Sequence, residues 1–430
     1  MRILHAISTL APASGGPTEV LKHLVSAQAA MGHEVTVCTT DRSNPVCERL
    51  PDSYFKSLWA ASVALKVFPV VYPALLFSPG LASWSRAELH RFDIVHIHGL
   101  YRFPPTYVAR EARRQGIPYV IRPHGALDPY LYDKSSINVR LKRLYERLFD
   151  LANLHGASAI HYTADEERER ASQLQLRSPS FVVPNAVNWD RYSKLPSRGR
   201  LRALWGLTNR GPVVLFLGRL HFKKGLDLLI PAFHSVRAAA PDAQLVIAGP
   251  DTDGYGAKVR RWVGERGLES CVHFVGPLNG QDVVQAYVDA DVFALPSYTE
   301  NFGVSVAEAM ACAVPVVISD QVNIHTDVSA ARAGLVVKCD VGHLASALLS
   351  VTRNPGLARS MGDAGRRLVR DRYTWPVVAA ALQVQYERVI KHSATPNEDV
   401  TRSACLRVEE RSNAPGEGVV EQSKSRSLAC

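Results

Sequence analysis

Short apolar runs alternate with amphipathic segments along most of this 430-residue chain. The runs in the first half are RILHAIS, EVTVCTT, DIVHIHG, YVIRPHG, ASAIHYT and FVVPNAV. Those in the second half are VVLFLGR, LVIAGP, VHFVG, DVFALPS, VPVVIS and GLVVK. Strands that are buried on both faces read in this way, and helical crossovers between them make the strands parallel. The pattern therefore predicts an α/β protein with parallel sheets covered by helices.

A polar stretch separates the two sets of runs, and 430 residues are too many for one ordinary hydrophobic core. We predict two doubly wound, Rossmann-like domains over residues 1–190 and 201–372, with a linker at 191–200. A helix over 373–393 and a disordered, polar tail over 394–430 follow. Such sheets bind ligands outside the carboxyl ends of their strands, so two facing domains would form a cleft.

The net charge of +10 is spread over both predicted domains and forms no basic block. This distribution argues against nucleic-acid binding and fits anionic small substrates or an anionic membrane surface. The seven cysteines are odd in number and contain no Cys-x-x-Cys pair. We therefore expect a reducing, cytoplasmic location, with no disulfide framework and no thiolate zinc site.

The stretch LFLGRLHFKKGLDLLI places three cations directly after a predicted strand. Arg219 follows the strand end, and Lys223 and Lys224 precede Gly225 and a helix. An Arg fork and a Lys ammonium at a strand end can neutralise pyrophosphate oxygens, although the sequence is not that of a P-loop. The alternative is a solvated basic turn.

The stretch PSYTENFGVSVAEAMACAVPVV holds two carboxylates, with Glu300 in a predicted loop and Glu308 inside a predicted helix. At roughly 1.5 Å per residue their separation covers about 12 Å, wider than the roughly 5–9.5 Å between glycosidase carboxyls. The spacing instead fits two hydroxyl-rich ends of one extended ligand. A buried Glu308 would be costly unless a sugar hydroxyl pair satisfied it. The alternative is an exposed loop acid and a solvated helix residue.

Three further motifs lie in the first half of the chain. His124 ends the RPHG strand, where it could hydrogen-bond a reacting sugar, or serve as a structural loop histidine. Gly15 and Gly16 allow a ligand to approach the start of a helix closely. His96 and His98 alternate along one strand, but no third ligand is evident, so no metal site is predicted.

Together these motifs resemble the retaining glycosyltransferases of family 4, which have the GT-B fold. The resemblance covers residues 1–390 and rests on Gly15-Gly16, RPHG, VPNAVN, GRLHFKKG, the E-x7-E pair and the Trp375 helix. It implies a GT-B architecture whose last helix crosses back to the first domain. It also implies a nucleotide-sugar donor, a saccharide or lipid-linked acceptor, no metal and no cofactor. Relatives of this sequence style commonly build exopolysaccharide or lipopolysaccharide.

The resemblance also assigns roles in the second domain. Arg219 and Lys224 would bind the donor diphosphate and stabilise its charge as it leaves. Glu300 would hold hydroxyls of the donor sugar, and Glu308 would hold the ribose hydroxyls. The backbone of Asn301, Phe302 and Gly303 would bind sugar or phosphate oxygens.

In the first domain, Gly15 and Gly16 would approach the phosphates, and His124 would contact the sugar near the reacting carbon. The family mechanism is front-face attack, in which the leaving phosphate helps to deprotonate the acceptor. Two departures concern binding residues. Asn188 stands where relatives often have Asp, and Lys223 precedes Lys224, so that either ammonium could take part.

Two segments predict contact with an anionic inner membrane. Residues 138–154 form a basic, amphipathic helix with Leu141, Leu144, Tyr145 and Leu148 on one face. Residues 57–84 are apolar but interrupted by Lys66 and prolines, which argues against a transmembrane span and for a loop or short helices. Together they could dock on a leaflet that presents a lipid-linked acceptor. The alternative for 138–154 is a solvated helix.

Three other functions fit the same motifs. A sugar-nucleotide epimerase or a sugar phosphorylase would keep the fold and change the reaction, and a non-catalytic nucleotide-sugar-binding protein would keep the site alone. A Rossmann dehydrogenase fits less well, because AGPDTDGYG lacks the G-x-G-x-x-G order.

Overall fold

The computed structural model describes residues 1–11, 16–43, 48–56, 58, 62–129, 137–207 and 211–394. It contains two parallel sheets, of seven and six strands. The first sheet has the strands β1 Arg2–Ile7, β2 Glu34–Thr40, β3 Val63–Phe68, β4 Ile94–His98, β5 Tyr119–Arg122, β6 Ala159–Tyr162 and β7 Ser180–Val182. The second has β8 Val213–Leu217, β9 Gln244–Ala248, β10 Val272–Gly276, β11 Val292–Leu295, β12 Val316–Ser319 and β13 Gly334–Val337.

Helices connect the strands and cover both sheets. Those up to the seventh strand are α1 Gly16–Ala30, α2 Asp52–Lys56, α3 Pro79–Glu88, α4 Phe103–Gln115, α5 Ile137–Tyr145, α6 Leu151–His155 and α7 Asp165–Ala171. The later ones are α8 Trp189–Ser193, α9 Arg200–Leu204, α10 Leu226–Ala239, α11 Tyr255–Gly264, α12 Gln281–Asp289, α13 Val304–Ala311, α14 His325–Ala330, α15 Val341–Thr352, α16 Pro355–Arg372 and α17 Trp375–Ala394. A π-helical turn, Glu146–Asp150, joins α5 to α6.

The strand order explains where a ligand can bind. It is β3-β2-β1-β4-β5-β6-β7 in the first sheet and β10-β9-β8-β11-β12-β13 in the second. In the first sheet, strands are added on one side of β1 up to β3 and on the other side from β4 onward. In the second sheet the same switch occurs between β8 and β11. Crevices form at such switch points beyond the carboxyl ends of the strands. The predicted α/β fold with two doubly wound domains is therefore confirmed.

The third strand corrects the interpretation of residues 57–84 as a loop or short helices. Val63–Phe68 is an edge strand that pairs with β2 from Val35 to Thr40. Only Val63 in it is fully buried, so it lacks the continuous apolar burial of the central strands.

The last helix packs on the first sheet. Trp375, Val378, Leu382 and Tyr386 share one hydrophobic cluster with residues of the first sheet such as Ile3. In the segment predicted as a linker, α8 ends at Ser193 and α9 begins at Arg200. The tail predicted to be disordered lies outside the described residues from 395 onward.

Candidate active site between the two sheets

The basic turn after β8 is held by a glycine. Arg219 is exposed, and Phe222–Lys224 forms one 3-10 turn that ends at Gly225 with φ of 68°. A Cβ at Gly225 would lie 1.9 Å from the carbonyl oxygen of Pro296. The missing side chain therefore lets this turn pack directly on the segment that follows β11.

Lys224 and Glu300 form an ion pair between these two segments. The backbone of Glu300 is fixed on the β12 side, because its N–H donates to Gln321 and its carbonyl accepts from Asn323 N–H. The two oppositely charged groups are thus held by rigid backbone at the carboxyl edge of the second sheet. The structure therefore brings Lys224 and Glu300 together at this edge of the sheet.

Phe302 and Gly303 form the entrance to α13. Gly303 precedes the helix with φ of 76°. The ring of Phe302 is buried at 2% exposure and packs edge-on against Tyr373, with 5.2 Å between centroids. Phe302 can therefore serve a ligand through its backbone, and its side chain belongs to the core.

The side chain of Asn301 reaches across to the first sheet. With the amide oriented to suit its neighbours, its nitrogen donates to Glu167, 2.9 Å from Oε1. Glu167 is itself buried and accepts from the backbone N–H of Gly125 at 2.8 Å. Glu167, which the sequence analysis missed, therefore ties the turn after β5 to the entrance of α13.

A second set of contacts closes the same cleft. Arg170 donates to Asp128 at 3.1 Å and to Gln321 at 3.0 Å. The hydroxyl of Thr299 donates to the same Asp128 at 2.8 Å. These bonds join residues after β5 and on α7 with residues after β11 and β12.

The cleft encloses a cavity of about 510 Å³. Eight predicted site residues line it, namely Gly16, His124, Arg219, Lys224, Glu300, Asn301, Phe302 and Gly303. Gly15 lies outside the described residues. Burial and nearby cations, including Lys142 and Arg219, lower the pKa of Lys223 in the wall of the cavity. Cavities of this size hold small ligands, and the cations make this one suitable for an anion.

Glu308 lines an adjoining cavity of about 270 Å³, which also touches Gly16 and Val304. The Tyr192 hydroxyl donates to Glu308 Oε1 at 2.8 Å, and that of Tyr287 donates to Oε2 at 3.0 Å. Burial raises the pKa of Glu308, while these two hydrogen bonds lower it. The Glu308 carboxylate is therefore already paired with two tyrosine hydroxyls, so its burial does not by itself require a sugar.

His124 occupies the turn after β5 with φ of 54°, in the left-handed region that is unusual for a residue with a side chain. It lines the large cavity and also a neighbouring one of about 390 Å³. Beneath it, His5, His96 and His98 each place one ring nitrogen within 4.8 Å of the others. His5 is the third imidazole that the sequence analysis did not find.

Two facing parallel-sheet domains with a cation-lined cleft define the GT-B class of glycosyltransferases. Residues 15–186 match the model of the glycosyl transferase 4-like domain, and residues 197–368 match that of the group 1 glycosyl transferases. The chain belongs to this glycosyltransferase family.

The relatives include D-inositol 3-phosphate glycosyltransferase of Jonesia denitrificans, 31% identical over 87% of this chain and 91% of that one. A GDP-mannose-dependent monoacylated alpha-(1-6)-phosphatidylinositol monomannoside mannosyltransferase of Corynebacterium glutamicum is 32% identical over 47% of this chain. That match spans 55% of the relative's length. Anabaena Alr3699/HepE, solved in complex with UDP, superposes with a TM-score of 0.71 and 18% identity over 90% of this chain and all of that one.

Proposed function

We propose that the protein is a retaining, metal-independent glycosyltransferase that moves a hexose from a nucleotide-diphosphate sugar to a saccharide or lipid-linked saccharide. The observation that carries this proposal is the Lys224–Glu300 ion pair in the wall of the 510 Å³ cavity. A cation next to an acid suits a ligand with a phosphate next to a sugar. The UDP in the solved Anabaena structure and the GDP-mannose dependence of the Corynebacterium relative support a nucleotide-sugar donor.

The donor would extend across both cavities, with the second domain binding most of it. Its diphosphate would lie against Arg219 and Lys224, and its sugar would lie between Glu300 and His124. The nucleoside would enter the cavity beside Glu308, whose carboxylate has lone pairs left for ribose hydroxyls. The backbone of Asn301–Gly303 and Gly16 would contact the remaining oxygens.

The chemistry follows from what these groups can do. Arg219 and Lys224 stabilise the negative charge that develops on the leaving diphosphate, which is the role that a metal would otherwise fill. Glu300, which is paired with Lys224, would accept hydrogen bonds from hydroxyls of the donor sugar. The acceptor would attack on the face that the diphosphate leaves, and a phosphate oxygen would take its proton.

The acceptor would bind on the first-domain side, in the 390 Å³ cavity next to His124. The names of the relatives point to glycolipid and inositol acceptors, and a role in cell-surface polysaccharide synthesis is part of the proposal.

An exposed apolar face on the first-domain side would dock the protein on an anionic membrane. Its four side chains are each at least half exposed, namely Leu141, Leu144, Leu148 and Phe149. Lys142 and Tyr145 do not share that face, since Lys142 lies over the Tyr101 ring and Tyr145 bonds Thr106. No helix in the described ranges has the length and apolarity needed to cross a membrane.

The test compares two adjacent lysines. We expect Lys224→Gln to lower transfer by about 100-fold, since a half-buried cation that binds the diphosphate is lost, and Lys223→Gln to lower it much less. A panel of nucleotide sugars is first screened by thermal shift, and product is then measured with and without acceptors. Full transfer by Lys224→Gln would exclude the proposed site. A new sugar nucleotide formed without acceptor would indicate an epimerase, and donor binding without turnover would indicate a binding protein.

A further inference from the structure

Three histidines and a glutamine run inward from the cavity in one hydrogen-bonded chain. His124 Nε2 lies 3.2 Å from His98 Nδ1, and His98 Nε2 lies 2.9 Å from His5 Nδ1. His5 Nε2 then lies 2.7 Å from Oε1 of Gln28, on α1. The chain links a residue of the candidate active site to the fully buried interior of the first sheet.

A second chain continues from the same glutamine. The hydroxyl of Tyr386, on α17, lies 2.6 Å from His96 Nδ1, and Gln28 interacts with the same hydroxyl and acts to lower its pKa. His96 Nε2 lies 3.3 Å from His161 Nδ1, and His161 Nε2 lies 2.8 Å from the carbonyl oxygen of Val183. The two chains therefore form one path from a backbone carbonyl to His124.

The carbonyl of Val183 determines which group donates and which accepts in each hydrogen bond of the second chain. A carbonyl can only accept, so His161 Nε2 carries a hydrogen and, in a neutral ring, His161 Nδ1 accepts. His96 Nε2 must then donate to it, which leaves His96 Nδ1 to accept from the Tyr386 hydroxyl. Burial lowers the pKa values of His96 and His161 well below the usual range, which keeps both rings neutral.

The orientation of the Gln28 amide determines the donors and acceptors of the first hydrogen-bonded chain. The Gln28 oxygen lies 2.7 Å from His5 Nε2, which leaves the Gln28 amide nitrogen to interact with the Tyr386 oxygen, whose own hydrogen is already used. His5 Nε2 therefore donates to Gln28, His98 Nε2 donates to His5, and His124 Nε2 donates to His98. His124 Nδ1 is left as the ring nitrogen with a free lone pair.

We infer that this chain fixes His124 as its Nε2–H tautomer, so that Nδ1 faces the substrate as a hydrogen-bond acceptor for a sugar hydroxyl. The acceptor role rests on the proposed function, whereas the tautomer does not. His5, His98, Gln28 and Tyr386 are then positioning residues that act through His124. A metal at His5, His96 and His98 would compete with this arrangement, since it would need nitrogens that the chain already uses. The buried Arg122 guanidinium, which acts on all three rings, also disfavours a cation there.

The tautomers can be read directly by nitrogen NMR of the full chain labelled with ¹⁵N at its histidines. Long-range ¹H–¹⁵N spectra distinguish the two tautomers, and the signals that vanish in His124→Asn identify His124. We expect His124 to be neutral with its hydrogen on Nε2, and to remain so when Zn²⁺ is added. A hydrogen on Nδ1, or a Zn²⁺-induced shift of the His5, His96 and His98 signals, would overturn the inference.

Variants far from the cavity test the coupling. Tyr386→Phe removes the hydroxyl that orients Gln28, so we expect His124 to become a mixture of tautomers, and Gln28→Leu to give the same mixture. His90→Gln, at an exposed position, is the matched control and leaves the His124 signals unchanged. If His124 keeps a single, unchanged tautomer in both variants, the inference that the hydrogen-bonded chain fixes this tautomer is refuted. Transfer activity is measured separately, and kcat/KM should fall in proportion to the Nε2–H fraction that is lost. An Nε2–H tautomer in a protein without transferase activity would refute the proposed function alone.

Discussion

The Tyr192 hydroxyl lies 2.8 Å from Glu308 Oε1 and joins helix α8 to helix α13. Tyr287 holds the other carboxylate oxygen from α12. The two hydrogen bonds therefore fix the orientation of the Glu308 carboxylate before any ligand arrives. Each oxygen still has a lone pair that can accept another hydrogen bond.

Removal of one tyrosine hydroxyl should destabilise the second domain. We expect Tyr287→Phe to lower the free energy of unfolding by about 1–3 kcal/mol, because a buried carboxylate oxygen loses its donor. Chemical denaturation measures the effect, with Tyr72→Phe as a control at a 59% exposed position. Equal stability of Tyr287→Phe and wild type would contradict this assignment of Glu308.

Alanine at Gly225 should displace the basic turn. We expect Gly225→Ala to unfold more easily and to bind donor more weakly, since its Cβ would overlap the Pro296 carbonyl. Gly267→Ala is the matched control, because Gly267 also has positive φ but open space around it, and a cost of about 1 kcal/mol is expected there. Similar losses in both variants would show that close packing at Gly225 does not matter.

The buried histidines predict loss of stability in acid. Burial lowers the pKa of His5 to about 4, from an ordinary value of 6.5, so the folded state resists protonation. The unfolded chain takes up this proton below pH 6.5, and stability is lost as the pH falls from there toward 4. At pH 5 His5 contributes about 2 kcal/mol of this loss.

Denaturant midpoints at pH 7.5 and pH 5 measure this loss of stability in acid. His5→Gln should show a smaller difference between the two pH values than wild type, while the exposed His90→Gln should keep the full difference. The prediction fails if wild type and His5→Gln respond to pH equally.

Charge on the exposed leucines should prevent membrane docking. We expect Leu144→Glu with Leu148→Glu to reduce co-sedimentation with vesicles rich in phosphatidylglycerol by at least tenfold. Leu204→Glu is the control, since Leu204 is 72% exposed but lies on α9 in the other half of the chain. Equal sedimentation of all three proteins would exclude docking through this face.

Most of the fold could be predicted because central strands carry a strong signal. All six strands of the second sheet appear in the sequence as apolar runs, and every residue of the inner strands β9, β11 and β12 is buried. The residues of the edge strand Val63–Phe68 are mostly half-exposed or exposed. Apolar residues on both sides of it also make its ends impossible to recognise in the sequence. The strength of the pattern thus depends on how many faces of a strand are buried.

The site was predicted where its residues are close in sequence to strand ends, as with Arg219, Lys224 and Glu300. Tyr192 and Tyr287 were missed because each lies far along the chain from Glu308, and nothing in the sequence marks their pairing. His5 and His161 were missed for a related reason. Each is a single histidine within an apolar run, and only the strand order brings them beside His96.

The packing of α17 has a consequence for how this protein is made. Residues from Trp375 to Val389 fill part of the hydrophobic cluster beneath the first sheet, next to Ile3 and Ile94. During synthesis the strands of the first sheet emerge from the ribosome early, but that cluster stays open until residues 375–389 emerge. The first sheet is therefore translated before the second sheet, but its hydrophobic cluster is completed after the strands of the second sheet have emerged.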